Sequence, residues 1–126
     1  MGAIPGRTSR VGSTGLIWRG EVYHVDLGQP VGHEPAFHRP AVVVSVDILN
    51  NGPGDLVVVV PITTVGYGLR SHVELEPAKS GLDHISYARC DQLRVVSTER
   101  LSSRQGIIGP EQMQAIDQAL RFVLDL

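Results

Sequence analysis

Apolar residues along this chain come in short runs, and only the last stretch shows helical spacing. Between Trp18 and Leu27, Tyr23, Val25 and Leu27 alternate with Val22, His24 and Asp26, so period two predicts a first strand there. Gly28 to His38 is rich in glycine and proline and reads as a loop. Ala41 to Val46 is nearly continuous in apolar residues, the pattern of a strand covered on both faces. Asp47 to Asp55 reads as a turn opening with one helical turn, and Leu56 to Ile62 as a third strand. After a glycine-flanked loop around Tyr67, Ser71 to Glu76 alternates polar with apolar, the mark of a strand with one wet face. Ser80 to Asp83 turns the chain. Ile85 to Cys90 and Gln92 to Val96 are two further extended segments interrupted at Asp91, and Ser97 caps a short helical turn through Leu101.

Near the C-terminus the period changes. Met113, Ile116, Leu120 and Val123 recur three and four apart behind Pro110, which the first turn of a helix accepts without losing a hydrogen bond. Glu111 in that first turn suits the helix dipole. Five to seven short strands followed by one terminal helix, with no long crossover between strands, predict a mainly β (α+β) fold. The expected form is a compact, mostly antiparallel barrel with short helices and a C-terminal α-helix.

A chain of 126 residues is one domain by length. Residues 1–15, polar and small, are read as a disordered tail or expression remnant, leaving 16–126 as the folded domain. The longest apolar runs fall far short of a membrane span, so no membrane association is expected. The single cysteine, Cys90, cannot close an internal disulfide, which fits a reducing, cytoplasmic setting and a buried structural thiol. Net charge is −2, so any nucleic-acid binding has to come from a local patch rather than a general positive field. Ten arginines stand against one lysine, Lys79. Arginine suits bidentate phosphate contact, but genomic codon bias explains the same count.

Candidate chemistry gathers at two junctions between loop and strand. One carries Glu34, His33, His38 and Arg39 just ahead of Pro40 and the apolar run. The other ends the third strand in Thr63 and Thr64. An arginine and a carboxylate at one strand end, and hydroxyls at the next, suit an anionic phosphate. His24, His33 and His38 match neither a helical metal pair nor a known finger, and no cysteine lies near, so no metal or other cofactor is expected.

The order Arg19-Gly20-Glu21-Val22-Tyr23, Gly32-His33-Glu34, Arg39-Pro40-Ala41-Val42-Val43-Val44-Ser45 and Val60-Pro61-Ile62-Thr63-Thr64 resembles the MazF/PemK toxins. Ser71 to Leu75, Gly81-Leu82, Gln92-Leu93-Arg94 and the terminal helix continue the resemblance from Trp18 to Leu126. It implies a Src-homology-3-like barrel, assembled as a homodimer, that acts as a sequence-selective endoribonuclease on single-stranded RNA. Cleavage would use the RNA's own 2′-hydroxyl and no metal. It also implies a cognate antitoxin whose disordered acidic tail covers the arginine groove. Carried over by motif, the family's arginine falls on Arg39, its hydroxyl on Thr63 and its acid on Glu34. Two departures stand out: His33 where the family often has serine, and Pro35 to His38 where it usually has glycine.

Each assignment has a chemical rationale. Arg39 offers a fork of donors, always charged, for the negative charge growing on phosphorus. Thr63 can donate to a phosphoryl oxygen and fix the line of attack. For proton removal Glu34 is the candidate, with His33 and His38 as alternatives. Thr64, Tyr67, Arg70 and His72, with His33 and His38, are candidate RNA contacts, Tyr67 by stacking on an unpaired base. The alternative reading is a non-catalytic barrel of the same kind that binds and inhibits a protein target, as CcdB-type toxins do.

Overall fold

The computed structural model describes residues 15–34 and 38–126. Nearly all of the expected tail, and the loop residues Pro35, Ala36 and Phe37, lie outside them. Seven strands and two helices follow one another as β1 (Glu21–Asp26), β2 (His38–Val43), α1 (Asp47–Asn50), β3 (Leu56–Thr63), β4 (His72–Leu75), β5 (Ser86–Arg89), β6 (Arg94–Ser97), β7 (Leu101–Ile107) and α2 (Pro110–Leu124). Short 3-10 turns at Cys90–Gln92 and Thr98–Arg100 separate β5, β6 and β7. Every strand pair is antiparallel. The order is β4-β5-β3-β2-β1-β7, with β6 also on β3, so the fold is the expected mainly β, barrel-like one with a terminal helix. No described helix is long and apolar enough to cross a membrane.

β3 organises the sheet. Its first half pairs with β6 from Leu56 to Val59, and its last two residues pair with β5 at Ile62↔Ala88 and Thr63↔Tyr87. Because side chains alternate across a strand, this one run feeds two cores. Val60 and Ile62 join Val22, Val42, Val73, Leu75 and Ala88 in a core closed by Met113, Ile116 and Ala119 of α2. Val57 and Val59 join Tyr23, Val25, Ala41, Val43, Val96 and Leu101 in a second core on the opposite face. A continuous apolar run was the correct sign of a strand buried on both sides.

The sequence reading differs from the structure at the start of β1, at both ends of β2, which closes at Val43 rather than Val46, and at β7. β1 begins at Glu21 rather than Trp18, because Gly20 takes a φ of +96° and bends the chain in. β2 begins at His38, so Arg39 and Pro40 stand inside a strand, at Val25↔Arg39 and His24↔Pro40, rather than at its mouth. β7 was not foreseen at all. Its sequence, LSSRQGI, has little β propensity, and pairing with β1 holds it extended through register shifts at Val22/Tyr23 and Tyr23/Val25. The Lys79–Gly81 segment crosses it closely. The Ile107 N–H donates to the Lys79 carbonyl at 2.8 Å, and a Cβ on Gly81 would lie 2.1 Å from the Gln105 carbonyl oxygen.

Candidate active site

The β2–β3 ladder runs Val43↔Val59, Val42↔Val60, Ala41↔Pro61. Continuing that register by two residues sets Arg39 opposite Thr63. The last ladder pair meets Pro61, and Pro40 stands beside it on β2. Neither ring can donate a ladder hydrogen bond, so pairing lapses here and the two strand ends part. β3 turns instead to β5, where Thr63 pairs with Tyr87. Arg39 shares the parity of Ala41 and Val43, and Thr63 that of Val57 and Val59, so both side chains belong to the face of the second core.

Thr63 is only 7% exposed. Its Oγ1 accepts from the Val65 N–H at 3.2 Å, which fixes the oxygen and leaves the hydroxyl hydrogen to donate. Arg39 is half-buried. Arg94 comes onto the same face through Val59↔Arg94, and its Nη1 donates to the Leu27 carbonyl at 3.1 Å, pinning the start of the β1–β2 loop. Beyond Thr63 the face continues across β5 and β4: Tyr87 pairs with Thr63 and Glu74, and Arg89 pairs with His72. The β3–β4 loop folds over it. Gly66 lies against Tyr87, where an added Cβ would come within 2.9 Å of the ring, and Tyr67 meets the His72 ring edge-on at 5.8 Å.

The other candidates are spread around this pair. Glu34 and His33 lie in the exposed part of the β1–β2 loop, where the Glu34 carboxylate closes its own turn by accepting from the Val31 N–H at 2.8 Å. His38 is exposed at the start of β2, opposite Asp26. Thr64 faces the opposite way from Thr63. It lines a cavity of about 230 Å³ with His24, Pro40 and Ile62. Arg70 packs its guanidinium over the Phe122 ring at 4.2 Å and borders a larger cavity of about 480 Å³ beside α2. The His72 side chain is 3% exposed and its Nε2 meets Asp91 Oδ1 at 3.0 Å, so it stands beneath the loop rather than on the surface. Tyr87 and Arg89 were not among the candidate site residues of the sequence reading, and Arg94 entered it only as part of the family resemblance. The strict alternation Ser86, Tyr87, Ala88, Arg89, with Ala88 inward, was the available signal.

Two further readings bear on the chemistry. Cys90 is fully buried, and burial, helped by Asp91, pushes its thiol from 9.0 up to about 12. Such a thiol is no nucleophile near neutral pH, and its role is structural. Among the described residues no three His, Cys, Asp or Glu side chains are grouped to hold a metal ion.

A mainly β, barrel-like sheet closed by a C-terminal helix is the fold of a class of toxins. The model for the PemK-like, MazF-like toxin of type II toxin-antitoxin system matches residues 18–124, and the chain belongs to that family. It is 30% identical over 112 residues to endoribonuclease EndoA of Bacillus subtilis (strain 168), spanning 88% of this chain and 97% of the relative. It is 36% identical over 117 residues to endoribonuclease MazF9 of Mycobacterium tuberculosis, spanning 88% and 98%. A solved endoribonuclease in complex with its cognate antitoxin, from a mycobacterial species, superposes with a TM-score of 0.73. That match is at 27% identity, over 87% of this chain and 96% of the other.

Proposed function

We propose that this chain is the endoribonuclease toxin of a type II toxin–antitoxin pair, cutting single-stranded RNA through Arg39 and Thr63. The RNA's own 2′-oxygen attacks phosphorus, the new O2′–P bond replaces the P–O5′ bond, and the products are a 2′,3′-cyclic phosphate and a 5′-hydroxyl. Arg39 balances charge on the non-bridging oxygens as it grows, and the Thr63 hydroxyl donates to one of them and holds the phosphate in line. Glu34 takes the 2′-hydroxyl proton once it leaves the Val31 N–H, and the departing O5′ takes a proton from solvent water. His33 and His38 flank that step. The guanidinium does the work of charge balance, so the reaction requires no metal. Of the expected RNA contacts beyond the scissile step, Tyr67 alone stays on this path, because Thr64 faces the opposite way, Arg70 packs on Phe122 beside α2 and His72 is buried beneath the loop.

The observation that supports this reading is the β2–β3 register, which ends at Ala41↔Pro61 and, continued by two residues, would bring the half-buried Arg39 opposite the Thr63 hydroxyl. Kinship to relatives named endoribonucleases favours it over the protein-inhibiting barrel. The toxin is a cytoplasmic homodimer, and its partner is a small antitoxin whose acidic tail lies over the arginine face as a mimic of the RNA backbone. Purified protein should cut an unstructured RNA in EDTA and leave 5′-hydroxyl ends. Arg39→Ala should lose about 10²–10³-fold in kcat while circular dichroism stays native. A fully active Arg39→Ala protein would remove the assignment.

A further inference from the structure

We propose that Arg89 and Tyr67 form a second nucleotide subsite beside the scissile phosphate. Arg89 holds the neighbouring phosphate of the RNA strand and Tyr67 stacks on the base attached to it. The proposal rests on the nuclease reading above and extends it to residues that no motif of the family carried over.

Position comes first. Tyr87 pairs directly with Thr63, and Arg89 lies two residues further along β5 on the same face. A diagonal neighbour of this kind stands roughly 7–8 Å away between Cα atoms. One nucleotide of an extended strand covers such a span, and a long arginine side chain can adjust over the remainder. A phosphate held at Thr63 and Arg39 therefore puts the next one within reach of Arg89.

The state of the side chain is the second observation. The Nε of Arg89 is buried with no hydrogen-bond partner among the described residues. Nor does any carboxylate among them form an ion pair with it, since nearby Asp91 meets His72 instead. A guanidinium with no acceptor inside the protein is costly to keep, and a phosphate oxygen meeting its outer nitrogens would compensate that charge. Tyr67 gives the guanidinium its orientation, with Arg89 Cζ 5.9 Å from the ring centroid. His72 supports the ring from its edge, and Tyr67 as a residue is still 56% exposed, which leaves room for a base. Charge and aromatic surface side by side are what an unpaired strand binds.

The test measures binding of a fluorescent single-stranded RNA, made uncleavable by 2′-O-methylation, across a series of salt concentrations. Arg89→Met keeps a long stem against Tyr67 but removes the charge. It should bind about tenfold more weakly at low salt, with the slope of log K against log salt smaller by about 0.7, the loss of one phosphate contact. Arg89→Lys should restore most of that slope, and Tyr67→Leu should lose affinity with the slope unchanged. An Arg89→Met slope equal to wild type would show that Arg89 only buttresses the loop, and would overturn the proposal. A wild-type protein that neither binds nor cuts RNA would instead sink the nuclease reading itself.

Discussion

At the scale of single residues, the site divides groups the structure fixes from one that has to move. Thr63 is fixed through its Oγ1, and Arg94 is tied to Leu27. Glu34 is different: its carboxylate spends itself on Val31, in its own loop. Removing that carboxylate should lower kcat rather than weaken RNA binding, because a general base acts in the transition state. Glu34→Gln is expected to lose about 10²–10⁴-fold in kcat with KM little changed. His33→Ala and His38→Ala should each stay within a few-fold of wild type. Single-turnover cleavage at saturating enzyme checks this, and a His38→Ala protein as inactive as Glu34→Gln would move the base to the imidazole. Arg39 and Thr63 were singled out from the sequence because Arg39-Pro40 opens one apolar run and Thr63 closes another, a pattern visible without coordinates. Arg89 was not, because the run from Ile85 to Cys90 leans apolar as a whole. Only knowledge of which side Ala88 faces separates its two sides.

At the scale of elements, legibility followed the strength of the hydrophobic period. β3 and α2 bury long apolar stretches, so their identity was written in the sequence, and even the Ser97 cap holds, accepting from the Glu99 N–H at 3.2 Å. β7 has polar residues at most of its positions and owes its extended form to β1 and to the Lys79–Gly81 crossing, neither of which a local window contains. The same logic locates stability. α2 closes the first core through Met113, Ile116 and Ala119, while Arg19 ties the helix to the body of the sheet by pairing with Asp117 and donating from Nε to the Val44 carbonyl at 2.9 Å. Ile116 is fully buried, so Ile116→Ala should cost about 2–5 kcal/mol, combining lost transfer energy with the cavity left behind. Urea unfolding should show the midpoint falling with an unchanged m-value. Because Arg39 and Thr63 lie on the face away from α2, catalysis per folded molecule should stay intact in that variant.

For the whole molecule, the charge balance decides how RNA and antitoxin meet. A net charge of −2 means that neither an RNA nor an acidic peptide is drawn in by the protein's overall field. On the function proposed above, both would meet the same local arginines, Arg39 and Arg89. Shared contacts make the two ligands rivals, and linkage requires their rivalry to be reciprocal. A peptide of the antitoxin's acidic tail should weaken binding of an uncleavable RNA by a given factor, and saturating RNA should weaken the peptide by that same factor. Raising salt should weaken both, since each depends on screened charge. Arg39→Ala and Arg89→Met should blunt both affinities together. Sedimentation of the three-component mixture should show toxin with RNA or toxin with peptide, and no particle holding both. A stable ternary complex would mean that the tail docks elsewhere and silences the toxin through a change of shape, not by occupying the arginine face.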